Sequence, residues 1–284
     1  GSKIDVDSIE FHTGGGGTTT AATFAKQGFK TAFCGMIDSD SSARELLNAL
    51  KKFKINTSLV LKTNKKPTNQ SIIIFSENQD RTILVYRGAS ELMDSKSIPW
   101  DQLKSEWLYL APLSGLLCDS FGELVDFAVK NNIKIAANPG IAQLSLPNFT
   151  EIAKKINILI LNQEEASFLT KVPLGDEKEI FKKISGISGG VVVMTKGGEG
   201  VTVSDGKNLY SAKPHLERKI VDTTGAGDAF GAGFVSEFIH TDGDIEKAIQ
   251  LGMGNSAGCL SEVGAKNGLL KKGQEFYRVP VTKE

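Results

Sequence analysis

Two short runs in this chain, Ile158-Leu159-Ile160-Leu161 and Val191-Val192-Val193-Met194, are apolar at every position. A strand with one wet face alternates apolar and polar residues, so a run without alternation belongs to a strand covered on both faces. Helical patterns flank both runs. Thr18–Gln27 reads as a helix with Thr18 as cap and Gly28 as stop, and Ser41–Phe53 carries Ala43, Leu46, Leu47 and Leu50 at helical spacing. Thr31–Cys34, Trp107–Leu110 and Lys134–Ala137 read as further strands, with a helix over Leu116–Val129. Val201–Val203 and Asn208–Ser211 form a hairpin around Asp205-Gly206, and the helices Ala226–His240 and Ile245–Ser261 close the core. Strands alternating with helices predict an α/β fold of three layers, α/β/α, with a mainly parallel central sheet.

The texture changes near residue 57. Thr57–Leu61, Ser71–Phe75 and Thr82–Tyr86 are consecutive β-rich runs with no helix between them. The central sheet cannot take them all, so the segment from about residue 57 to 90, joined by residues 4–12, is expected to form a small separate β lid. Strands without helices to bury them need another partner. A second subunit's copy of the same sheet is the expected one, giving a homodimer through the lid; an edge hairpin that extends the main sheet is the plainer alternative. With no internal repeat, residues 1–284 are expected to form a single domain.

Charge and cysteine content narrow the function. Lys plus Arg (33) equals Asp plus Glu (33). No basic stripe offsets that balance, which argues against a nucleic-acid partner. No apolar run approaches the ~18 residues that span a bilayer, so no membrane partner is expected. Cys34, Cys118 and Cys259 are far apart and odd in number, which favours reduced thiols and a cytoplasmic location. His12, His215 and His240 are dispersed, without zinc-ligand spacing.

The stretch richest in chemistry is Asp222-Thr223-Thr224-Gly225-Ala226-Gly227-Asp228, which runs directly into an apolar helix. The first N–H groups of a helix lack internal partners, and its dipole is positive at that end. Gly225 and Gly227 omit side chains that would hold an anion away. A carboxylate at Asp228 would then sit beside the anion, an unfavourable place unless it takes a proton from an attacking hydroxyl. The spacing also allows a plainer reading, in which the glycines permit close packing and Asp228 only complements the dipole. Phe230 occupies the place of the third glycine of a dinucleotide fingerprint, and no Gly-Lys-Ser/Thr triplet exists for a P-loop.

Asp222–Asp228 resembles the C-terminal signature of the phosphofructokinase-B (PfkB) carbohydrate kinases of the ribokinase superfamily. Other segments resemble that family in its order: Gly14–Gly17 before a small-residue helix, Gly35–Asp40, Asn162-Gln163-Glu164-Glu165, Thr195–Gly200, and Asn255 through Ala265. The resemblance implies a ribokinase-like fold and transfer of the γ-phosphoryl group of ATP to a hydroxyl of a sugar or nucleoside. It implies Asp228 as base, with the N–H groups of Gly225, Ala226 and Gly227 as anion hole. Asn162 and Glu165 would serve the phosphates and Mg²⁺, the metal through water. Asn162 would equally suit a helix N-cap. Thr195, Gly197, Gly200 and Thr224 would line the nucleotide, and Asn255 would lie near the adenine. Gly15, Gly16 and Gly17 would let acceptor hydroxyls approach the backbone, and Asp222 would help hold a monovalent cation such as K⁺. A non-catalytic relative that senses a sugar or nucleotide is the alternative.

Two departures stand out. Thr19 occupies the place of an Asn that contacts the acceptor in the family, and a hydroxyl replaces only part of an amide. The family also has a core strand and an acceptor-gripping Asp well upstream of the glycine motif. Only thirteen residues precede Gly14, and Asp5 and Asp7 follow no apolar strand. That strand is expected to be absent from this sequence.

Overall fold

A computed structural model of the chain describes residues 3, 5–75, 81–215 and 220–284. In chain order the first half contains α1 (Gly16–Lys26), β1 (Gly35–Ile37), α2 (Ser41–Lys52), β2 (Val60–Lys62), β3 (Gln70–Phe75), β4 (Arg81–Tyr86), β5 (Trp107–Leu110), α3 (Phe121–Lys130) and β6 (Lys134–Ala137). The second half contains α4 (Ile141–Leu144), α5 (Phe149–Ala153), β7 (Ile158–Asn162), α6 (Gln163–Thr170), α7 (Glu177–Ser185), β8 (Val191–Thr195), β9 (Val201–Ser204), β10 (Leu209–Ala212), α8 (Ala226–His240), α9 (Ile245–Leu260) and β11 (Val281–Lys283).

Among the described residues the main sheet has seven strands in the order β11-β10-β9-β8-β7-β6-β5. From β5 to β8 neighbours run parallel; β9, β10 and β11 are added antiparallel. The apolar runs explain the layering. In β7, Leu159 and Leu161 pack with α3, α5 and α7 through Val125, Ile152 and Ile180. Ile158 and Ile160 face the other way, against Phe230 and Phe234 of α8 and Ile249 of α9. Side chains two apart share a face, so an all-apolar strand needs a helical layer on each side. The helix α1 joins the second layer, where Ala21 and Ala22 pack near Ala229 and Cys259.

The β-rich stretch divides. Val60–Lys62 pairs in parallel with Gly35–Ile37, while β3 and β4 form a separate antiparallel hairpin. Residues 5–12 form no strand and leave Val6, Ile9 and Phe11 exposed; Ile4 lies outside the described residues. The expectation that residues 4–12 join the small sheet is therefore not met. The predicted strand at Thr31–Cys34 is also displaced: Ala32 makes an isolated bridge to Asn56, and the strand proper starts at Gly35. The predicted helix over Leu116–Val129 breaks into a 3₁₀ turn, Gly115–Cys118, and α3. Gly115 has φ +60, and a Cβ there would run into the Glu91 backbone, so the turn that precedes α3 starts on a glycine.

Candidate active site

The parallel strands β6, β7 and β8 deliver polar residues at their carboxyl ends, where open α/β sheets bind ligands. Asn138 follows β6, and its amide donates to the Ile160 carbonyl at 3.0 Å. Asn162 ends β7 and lies in register with Thr195, the last residue of β8. The turn after β8 needs its glycines: Gly197 has φ +54, and Gly200 has φ +95 with the space for a Cβ closed by the Ala212 carbonyl.

The first turns of α8 pack on this sheet, where a Cβ on Gly231 would lie 2.7 Å from the Tyr109 hydroxyl of β5 and 3.2 Å from the Ile160 side chain of β7. Gly225 is the N-cap of α8 at φ 80, and no side chain caps the helix. A Cβ on Gly225 would come 2.6 Å from the Cβ of Ala265, so only glycine fits this turn. The Ala226 N–H reaches the Thr223 carbonyl only at 3.4 Å. Gly227 is exposed, and a Cβ there would meet nothing within 4 Å. The helix therefore opens on uncapped backbone donors at the surface. Asp228, the third residue of the helix, is half-buried, and burial pushes its carboxyl up to about 6 against the pull of the Lys266 ammonium.

The N-terminal glycines come to the same place. Gly15 caps α1 at φ 93, and its carbonyl accepts from the N–H groups of Thr18 and Thr19, both at 3.0 Å. A Cβ on Gly16 would lie 2.9 Å from Oδ1 of Asp228, and one on Gly17 3.1 Å from the Phe33 ring. The fold thus brings Gly16, in the middle of this loop, up against Asp228.

Other predicted residues take different positions. Thr19 is fully buried with its hydroxyl unpartnered, so it offers no surface to an acceptor. Asn255 is also fully buried. Its amide donates to Thr23 Oγ1 (3.2 Å) and the Ala229 carbonyl (2.7 Å), and its Oδ1 accepts from the Leu270 N–H (2.8 Å). Asn255 therefore fixes backbone around the site and presents no free amide to a base. Asn162 and Glu165 form a reciprocal cap: Asn162 Oδ1 accepts from the Glu165 N–H, and Glu165 Oε2 from the Asn162 N–H, each at 2.8 Å. Burial raises the Glu165 carboxyl above its ordinary range. Asp222 is 6% exposed and clasps the Thr224 N–H at 2.8 Å and the Gly264 N–H at 3.0 Å.

Two further residues interact with Asp228. Lys266, from the loop after α9, is buried with Asp228 as its charged neighbour, and burial lowers its ammonium to about 8. In the sequence Gly264-Ala265-Lys266-Asn267-Gly268 nothing marks this lysine as buried. Tyr109, on β5, has a buried and unpartnered hydroxyl; burial, with the Asp228 charge added, pushes its phenol far above the usual range. Nothing in the apolar run Trp107–Leu110 marks it. A separate hollow of about 370 Å³ opens at the amino ends of β5 to β8, but its acid, Asp205, is spent on the Asn208 and Lys207 amides of its own turn.

The model of the pfkB family carbohydrate kinases matches residues 1–272. The chain belongs to that family. It is similar to a ribokinase from Haemophilus influenzae, 28% identical over 281 residues, covering 95% of this chain and 88% of that protein. The ribokinase of Arabidopsis thaliana, solved with ribose and ATP, matches with TM-score 0.81 at 20% identity, covering 95% of this chain and 88% of that one. The nucleoside kinase of Methanocaldococcus jannaschii matches with TM-score 0.78 at 19% identity, covering 95% and 87%. The chain is thus an ATP-dependent kinase of the ribokinase superfamily, a phosphotransferase with the ribokinase-like three-layer fold. Among the described residues no helix is long and apolar enough to cross a membrane.

Proposed function

We propose that this pfkB-family kinase transfers the γ-phosphoryl group of ATP to a hydroxyl of an unphosphorylated sugar or nucleoside, with Asp228 as general base. The contact between Gly16 and Asp228 carries the reading, because it sets a side-chain-free loop against a carboxylate at an uncapped helix N-terminus. An acceptor held on Gly15–Gly17 would point a hydroxyl at Asp228. A carboxyl near 6 is mostly ionised at neutral pH yet basic enough to accept that proton. The N–H groups of Gly225, Ala226 and Gly227 would receive charge on the transferring phosphoryl.

The nucleotide would lie along Asn162, Glu165, Thr195, Gly197, Gly200 and Thr224, with Asn255 acting indirectly through Leu270. Glu165 fits a Mg²⁺ held through water: the cap engages one carboxylate oxygen and leaves another for the metal's shell. When bound, Mg²⁺ would neutralise phosphate charge. Asp222 and the Thr224 carbonyl would supply oxygen ligands to a monovalent cation such as K⁺. Residues 1–284 would act as one kinase domain in the cytoplasm, with the β3–β4 hairpin as lid and dimer contact. The likeness to a ribokinase supports a sugar acceptor, and the nucleoside kinase fold keeps nucleosides in view.

The test is ATP consumption across sugars and nucleosides, beside a thermal-shift screen with an ATP analogue. Acceptor-dependent turnover is expected. Ligand-induced stabilisation without turnover on any of them would turn the reading into a sensor.

A further inference from the structure

Lys266 is only 5% exposed, and the reaction outlined above makes no use of it. Its Nζ donates to the Thr13 carbonyl at 2.7 Å and the Gly14 carbonyl at 3.2 Å, the residues that open the glycine loop. Burying an ammonium costs several kcal/mol before compensation. A surface lysine would avoid that cost, so its placement calls for a use. The same loop touches the phosphoryl side. The Gly264 N–H is held by Asp222, whose other oxygen holds Thr224, and Ala265 fills the space beside Gly225. Three consecutive residues therefore touch the turn before α8 and the loop before α1.

We propose that Lys266 is a positioning residue that ties the acceptor-side glycine loop to the phosphoryl-side turn and brings a positive charge to the base that lies against that loop. Its catalytic consequence rests on the kinase reading. Among the described residues, the titratable groups that interact electrostatically with Asp228 are Lys266, Tyr109 from β5 and Cys259 from α9. Lys266 is the cation among them. Without it, burial leaves the carboxyl easier to protonate. The loop would also lose the donor that holds two of its carbonyls.

Lys266→Met keeps the length and removes both charge and hydrogen bonds; Lys266→Gln keeps a donor without charge. A ¹³C-carboxyl titration should show the Asp228 midpoint rise by about one pH unit in both variants. Amide exchange at Gly14–Gly17 should quicken in K266M and less so in K266Q. In turnover, K266M should raise the acceptor KM roughly tenfold while the ATP KM stays within about twofold. The acid limb of kcat/KM should follow the Asp228 midpoint. An unmoved midpoint and unchanged loop exchange in both variants would overturn the proposal, as would losses that only track a lower melting temperature. The titration and exchange need no turnover, so an inactive wild type would refute the kinase reading and still leave Lys266 tested.

Discussion

Gly16 lies so close to Asp228 that a methyl group on Gly16 would come 2.9 Å from Oδ1 of the carboxylate. Gly16 has no positive φ and opens a helix, where alanine is a good residue. Gly16→Ala should therefore fold with an unchanged or slightly higher melting temperature. The added methyl must push the carboxylate off its position, and misplacing a base costs rate more than binding. We expect kcat/KM for the acceptor to fall roughly 10- to 100-fold. Unchanged kinetics would separate the glycine loop from the base.

Asp228→Asn removes the proton acceptor and keeps the shape. kcat should fall roughly 10²–10⁴-fold, while ATP-analogue affinity holds because the backbone donors remain. Stability should move the other way. Unfolded, the carboxyl ionises near 3.8; folded, near about 6. Between those values the folded state binds the proton more tightly, so this group lowers stability as pH rises through the window and keeps it lowered above. The full difference is about 3 kcal/mol, and Lys266 losing its partner offsets much of the gain from removing the charge. D228N should be more stable by roughly 1 kcal/mol at pH 7.5 and lose that advantage below about pH 4. A variant less stable than wild type at pH 7.5, measured by denaturant melts, would contradict the burial of this charge. For the wild type, the acid limb of kcat/KM should fall near pH 6, where the base becomes protonated.

The two glycines at the start of α8 should respond oppositely. Gly227 has no positive φ and open space at its Cβ position, so Gly227→Val should fold and yet lose most phosphoryl transfer. Gly225 has φ +80 with Ala265 at 2.6 Å, so Gly225→Ala should lose roughly 1–3 kcal/mol of stability. Melting curves and initial rates on both variants separate these effects. Normal rates in G227V would mean that the phosphate binds elsewhere.

These contrasts mark what the sequence could reveal. Trp107–Leu110, Lys134–Ala137 and Ala226–His240 have the bounds that periodicity predicts, because burial and local geometry agree there. The turn before α8 was legible because two glycines and a first-turn carboxylate are together what an anion-binding helix start requires. Pairing between distant segments was not. Val60–Lys62 looks like its β-rich neighbours but joins Gly35–Ile37, and Val281–Lys283 becomes a strand only by pairing with β10. The burial of Thr19 and Asn255 depends on how α1, α8 and α9 pack, which residue type alone does not fix. Lys266 reads as a solvated charge until the loop before α1 closes over it.

The hairpin carries the last prediction. Ile72 and Leu84 are directly paired, and with Ile74 and Tyr86 they share one face of the β3–β4 ribbon. All four are exposed, at 62%, 53%, 52% and 48% respectively. An isolated two-stranded hairpin is marginal in water, and a large exposed apolar patch marks an interaction site. Phosphoryl transfer also has to keep water from the phosphate, or ATP would be hydrolysed without an acceptor. On the lid reading, one part of this apolar surface would cover a ligand and another a second subunit. Ile72→Lys combined with Leu84→Lys should shift sedimentation from dimer to monomer, raise the acceptor KM and increase acceptor-independent ATP hydrolysis. In the wild type, amides of β3 and β4 should exchange faster than those of β7 and slow when acceptor binds. A monomeric wild type whose hairpin exchange ignores every acceptor it phosphorylates would leave this ribbon without a part in the reaction.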